Sequence, residues 1–149
     1  MENLFAPSSA EKIISRIGQL NAGLAPLWGK MNVGQMLAHC RMPLIAGIGD
    51  AKFKRSFIGF LFGSIIKRQF LKGKPFKKNL PTDKSFIMTE AKFFDDEKQQ
   101  LVEVIKRFTG SGPGAFKNNV HPFFGQMSAG EWGILSWKHL DHHLQQFGV

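Results

Sequence analysis

The chain has 149 residues, 43% of them hydrophobic and 21% charged, a length for one domain and a composition that excludes disorder and a coiled coil. A single cysteine, Cys40, excludes an internal disulfide framework, zinc fingers and other multi-cysteine metal sites. The net charge of +9 is local: Lys52, Lys54, Arg55, Lys67, Arg68, Lys72, Lys74, Lys77 and Lys78 fall between Ala51 and Thr82 with no acidic residue among them, leaving eleven basic against eleven acidic residues elsewhere.

The first helix is predicted to start at Ser8, with Glu11 completing a capping box. Ile13, Ile14, Ile17 and Leu20 recur at helical spacing behind it. Gly23 and Pro26 close this segment. Asn32 and Gln35 mark a second helix start, with Met36, Leu37, Cys40 and Leu44 as its apolar stripe and His39 on the flank. Pro43 removes the donor for the His39 carbonyl, so a bend or opened turn is expected there.

Phe53 to Leu71 reads as a helix weakened by Gly59 and Gly63, its phenylalanines buried and its cations wet. Its apolar run, Phe57 to Ile66, is ten residues long, against about 20 for a membrane span. Lys72 to Asp83, with Gly73, Pro75 and Pro81, is an irregular crossover, and Ser85 to Phe94 is expected to be extended. Asp95 or Asp96 is expected to cap a helix with Leu101, Val102, Ile105 and Phe108 inward, broken by Thr109 to Gly114. Ser128 and Glu131 open the last helix, carrying Trp132, Leu135, Ser136, His139, Leu140, His143 and Phe147 at helical spacing. These elements predict an all-α bundle in one domain, 1–149. The first residues, Met-Glu-Asn-Leu-Phe-Ala-Pro, lack a basic start and an apolar run, so a cytoplasmic protein is expected.

Three of the five histidines crowd near the C-terminus: His139, His142 and His143. Residues four apart lie about 40° apart around a helix and ~6 Å along it. The imidazoles of His139 and His143 therefore converge on one point, as in helical metal sites. His142 projects from a neighbouring angle, as an alternative ligand or a group that supports one at the pocket rim. A third ligand must come from another helix, and His39 is the best placed by its apolar surroundings. Three imidazoles leave a coordination position open, the arrangement of a catalytic rather than a closed structural site. Zn, Ni and Fe(II) all suit imidazole.

The pieces Trp28-Gly-Lys-Met-Asn-Val-Gly-Gln-Met-Leu-Ala-His39 and Trp137-Lys-His-Leu-Asp-His-His143-Leu-Gln-Gln-Phe-Gly-Val resemble the DinB-like superfamily of bacterial helical bundles. His121-Pro-Phe-Phe-Gly and Glu131-Trp132-Gly look like one branch of it, a domain of unknown function. The resemblance implies a four-helix bundle with a long crossover, here the basic segment between the second and third core helices. It also implies a divalent metal on His39, His139 and His143, a homodimer, and chemistry related to the superfamily's thiol transferases.

Cys40 diverges by about 100° from its neighbour His39 and reads as a buried, inert thiol. His121 is expected in a loop at the pocket mouth, and Gln35 either caps its helix or orients a ligand. Asp141 is expected to face solvent. A metal-dependent transferase or hydrolase acting on a small thiol or an anionic compound follows. The alternative is a non-enzymatic module presenting its basic face to an anionic partner. No DNA-binding motif, nucleophile elbow or phosphate-binding glycine loop supports other chemistry.

Overall fold

The computed structural model describes residues 1–82, 84–116 and 120–149. Among these are five α-helices and a two-stranded sheet. Helix α1 (Pro7–Gln19) begins on proline, with Ala6 as N-cap and no side-chain cap. The expected Ser8–Glu11 box does not form, because Pro7 already supplies a helical φ and lacks one of the N–H groups a cap would satisfy. Ser9 instead bonds the Glu2 carboxylate. Helix α2 (Val33–Gly47) starts on the Asn32–Gln35 capping box. It runs through Pro43 to Gly47.

Helix α3 (Phe57–Leu71) is capped by Ser56. The run expected to be extended, Ser85 to Phe94, forms no strand: a short 3-10 turn at Lys84–Phe86 leads into irregular chain. Phe86 turns inward there and is buried. Helix α4 (Phe94–Ser111) has Phe93 as N-cap, while Asp95, Asp96 and Glu97 occupy its first turn. Their charges complement the helix dipole without capping it. The helix runs past Thr109 and ends at Gly112, whose φ of +67° suits glycine. Strands β1 (Val120–His121) and β2 (Gly125–Gln126) pair antiparallel, Val120 opposite Gln126. Helix α5 (Ala129–Gln146) opens on the Ser128–Glu131 capping box.

Helices α1 and α2 each pack against both α4 and α5. The core between them holds Ile13, Ile17, Leu37, Leu101, Ile105, Phe108 and Trp132. Phe108 stacks on Phe5 and meets Phe116 at a tilt, at ring distances of 4.9 and 4.5 Å. Ion pairs join the helices at their edges: Arg16 to Asp141 (2.7 Å), Arg41 to Glu97 (3.0 Å) and Lys67 to Glu131 (3.0 Å). The first also corrects the expectation that Asp141 faces solvent, since its carboxylate is half-buried against Arg16 and Gln145.

Helix α3 lies outside this arrangement, on α5 and β2. Its phenylalanines were expected to be buried, yet Phe57, Phe60 and Phe62 are exposed. The inward face is instead made by Gly59 and Gly63. A Cβ at these positions would come within 2.5 and 2.1 Å of the Phe123 carbonyl oxygen, so only glycine permits this approach. Lys138 of α5 donates to the carbonyls of Phe70, Lys72 and Lys74, supplying partners where α3 ends and its own carbonyls lack them.

Replacing Phe108 by alanine is expected to lower the unfolding free energy by about 3–5 kcal/mol, and Ser128→Ala by about 1 kcal/mol. Chemical denaturation measures both. A Phe108→Ala loss below that of the cap variant would show that the aromatic cluster is not central.

Candidate metal centre

The three histidines meet. Ring centroids of His39 and His139 lie 4.8 Å apart, those of His39 and His143 4.7 Å, and those of His139 and His143 4.7 Å. One ligand nitrogen from each lies within 4.8 Å of the others. His39 comes from the middle of α2 and the other two from one face of α5, so the packing of α2 on α5 closes the triangle. Nε2 of His39 is 2.9 Å from Nε2 of His139, a few tenths of an ångström short of the roughly 3.3–3.4 Å between two nitrogens that each sit ~2.0–2.1 Å from a tetrahedral ion.

Backbone carbonyls settle which nitrogens face inward. Nδ1 of His39 lies 2.9 Å from the carbonyl oxygen of Phe86. A carbonyl only accepts, so Nδ1 carries the proton and Nε2 presents a lone pair. The second case runs through an intermediary. The Trp28 carbonyl accepts from Nε2 of Gln146 at 2.6 Å, which turns Oε1 of Gln146 toward Nδ1 of His143 at 2.7 Å. That oxygen also only accepts, so His143 is protonated at Nδ1 and its Nε2 is free. His39 Nε2 being a lone pair, His139 donates its Nε2 proton to it in the metal-free protein. Binding an ion through Nε2 would then require His139 to carry its proton on Nδ1.

The site also favours neutral rings, the form that ligates metal. Burial holds the pKa of His39 below the ordinary histidine value of 6.5 against the opposing Phe86 hydrogen bond. Burial pushes His143 down to about 3, with the neighbouring His39 adding to the effect. His139 is held well below 6.5 by burial and then by His143 and His39.

The remaining candidates sit around this triangle. His142 packs between Trp28 and Phe76, with ring distances of 5.6 and 5.9 Å, and contacts the His143 ring at 5.1 Å. It also lines a cavity with Phe76, Trp137 and Lys138. His121 sits on β1, not in a loop, and is buried. Its Nδ1 accepts from the N–H groups of Phe123 and Phe124 at 3.1 Å each. Its ring neighbours Phe86, the residue whose carbonyl holds His39. Gln35 is engaged elsewhere: its oxygen completes the α2 capping box, and its amide nitrogen donates to the Glu90 carbonyl. Cys40 is buried with its thiol on Met36, and burial pushes its pKa far up.

The sequence assigns no site role to Phe86, Trp28 or Gln146. The first two act through main-chain oxygen, which no residue type announces. Gln146 did leave a signal, as a polar side chain three positions after His143 beside Leu144 and Phe147. Gly29 supports it: with φ +81°, its missing Cβ leaves space that would otherwise lie 2.6 Å from Nε2 of Gln146.

A family model described as "Protein of unknown function (DUF1569)" matches residues 4–148. No curated protein and no solved structure matches the chain.

Two outcomes follow from this geometry. Gln146→Leu and Gly29→Ala, which remove or displace the group orienting His143, are expected to weaken zinc affinity by about 10–100-fold, read by competition with a chelating dye. Unchanged affinity would show that the orientation of His143 does not matter. Because folding depresses these histidine pKa values, the unfolded chain binds more protons below 6.5. Stability of the metal-free protein is therefore full above 6.5 and lost as pH falls, for His143 down to about 3. Thermal melts should show that decline, with a shallower slope in His143→Gln.

Proposed function

Because the chain belongs to the DUF1569 family of proteins of unknown function, we propose a function from its own residues: it is a divalent-metal-dependent enzyme of transferase or hydrolase type, its ion held by His39, His139 and His143. The observation that carries this is the pair of carbonyl-fixed tautomers on His39 and His143. A merely packed histidine needs a partner for its polar atoms. Here two rings are oriented so that their unprotonated nitrogens converge with a third ring. Outer partners that fix the tautomer are the usual support of a ligating histidine.

Zinc, nickel or iron(II) would suit three imidazoles, and when bound such an ion supplies Lewis-acid polarisation that makes a weak nucleophile competent near neutral pH. The protein's residues supply the rest. His39 and His143 hold their protons at Nδ1 and keep them away from the centre. Phe86, buried beside Phe53, shields one side from water. All three ligands being neutral, none offsets the charge of the ion, which favours an anionic partner such as a small thiolate or a substrate with an acidic group.

In the same proposal, α1, α2, α4 and α5 form a DinB-like four-helix bundle within one domain, 1–149, with α3 and its basic flanks as the crossover. The mutual packing of those helices supports it, as does the origin of the histidines on the second and last of them.

Elemental analysis of protein purified without an affinity tag tests the centre. Near one divalent ion per chain is expected, lost in His139→Ala with helical circular dichroism retained. Absence of bound metal, even after reconstitution with zinc or nickel, sinks the proposal.

A further inference from the structure

Helix α3 turns its large apolar side chains outward. Phe57, Ile58, Phe60, Leu61, Phe62 and Ile65 are each 50–76% exposed, and at 100° per residue they cover the side opposite Gly59 and Gly63. A contiguous apolar surface of this kind marks an interaction site. The same segment carries the chain's whole excess of positive charge. Lys52, Lys54 and Arg55 precede the helix, Arg68 lies in its last turn, and Lys72, Lys74, Lys77 and Lys78 follow it, all exposed.

We propose that α3 and its basic flanks dock this protein on an anionic lipid surface, the exposed apolar side chains entering the headgroup–acyl boundary and the lysines and arginines meeting lipid phosphates. Among the described residues no helix is long and apolar enough to cross a membrane, so the association is peripheral. Aliphatic and aromatic side chains bounded by cations, without an intervening acidic residue, match such an interface. Two alternatives fit less well. A second copy seated on α3 would set nine cations against nine, a repulsion that an apolar contact between the helices must overcome. A nucleic acid would satisfy the cations, but its phosphates and base edges leave Ile58, Leu61 and Ile65 without an apolar partner.

The docking helix is held as a rigid platform. The Phe123 carbonyl approaches at Gly59 and Gly63. Lys67 bonds the Gln126 carbonyl and Glu131, and Lys138 gathers the carbonyls at its end. The outward residues take no part in these contacts, so they are replaceable without disturbing the core.

Co-sedimentation of the full chain with phosphatidylglycerol–phosphatidylcholine vesicles and with pure phosphatidylcholine vesicles tests the proposal. Binding is expected on the anionic vesicles, at least about tenfold weaker on the neutral ones and falling with added salt. The double variant Phe57→Asp/Leu61→Asp is expected to lose binding by about tenfold or more with unchanged circular dichroism. Lys72→Glu/Lys74→Glu, which leaves the helix itself intact, is expected to weaken binding to anionic vesicles alone. The proposal is overturned by absent or equal binding to the two vesicle types, or by α3 variants that bind like the unaltered chain. A dimer that the double variant dissociates, or retention of nucleic acid but not vesicles, overturns it equally.

Discussion

Two main-chain oxygens organise the cluster of three histidines. The carbonyl of Phe86 holds the proton of His39 at Nδ1. The carbonyl of Trp28 does the same for His143 through the amide of Gln146. Each oxygen can only accept, so the proton's position on each ring follows from geometry alone. Were either ring to rotate, its Nδ1–H, a buried donor, would lose its partner, costing about 1–3 kcal/mol. The orientation of the centre is thus stabilised by the same bonds that satisfy the rings.

Those oxygens come from irregular chain, which explains why the segments between helices are as specific as the helices. Trp28 lies between α1 and α2, beside a glycine whose φ of +81° and missing side chain make room for Gln146. Phe86 belongs to a short turn between α3 and α4, anchored by its buried ring. The helices bring the histidines within reach, and these two segments aim them. Burial completes the arrangement by keeping the rings neutral, since a protonated imidazole in this low-dielectric setting would face two similar neighbours without a nearby counter-charge.

Helix α3 obeys a different rule. The other helices turn their large apolar residues mainly inward, whereas α3 buries two glycines and exposes Phe57, Phe60 and Phe62. Close approach to the Phe123 main chain selects glycine on the inner side, and the outer side is released from packing. Retention of Phe57, Phe60 and Leu61 among so many cations makes sense if the face has a partner with both apolar and anionic character.

Helix existence and the cluster of His39, His139 and His143 were legible in the residues themselves. Periodicity located the amphipathic helices, the Asn32–Gln35 and Ser128–Glu131 boxes marked their starts, and spacing placed His139 and His143 on one face. Local chemistry determines such features, because a helix repeats every 3.6 residues wherever it is packed. Only the tertiary structure decided the rest. It turned α3 inside out through a main-chain approach that no periodicity encodes. It set a short turn at Lys84–Phe86 where extended chain was expected to begin, put His121 on a hairpin, and engaged Asp141 with Arg16. It also chose the protonated nitrogen on two histidines. These outcomes depend on which backbone carbonyl arrives from a distant part of the chain, and every residue carries the same carbonyl, so side-chain identity does not reveal it.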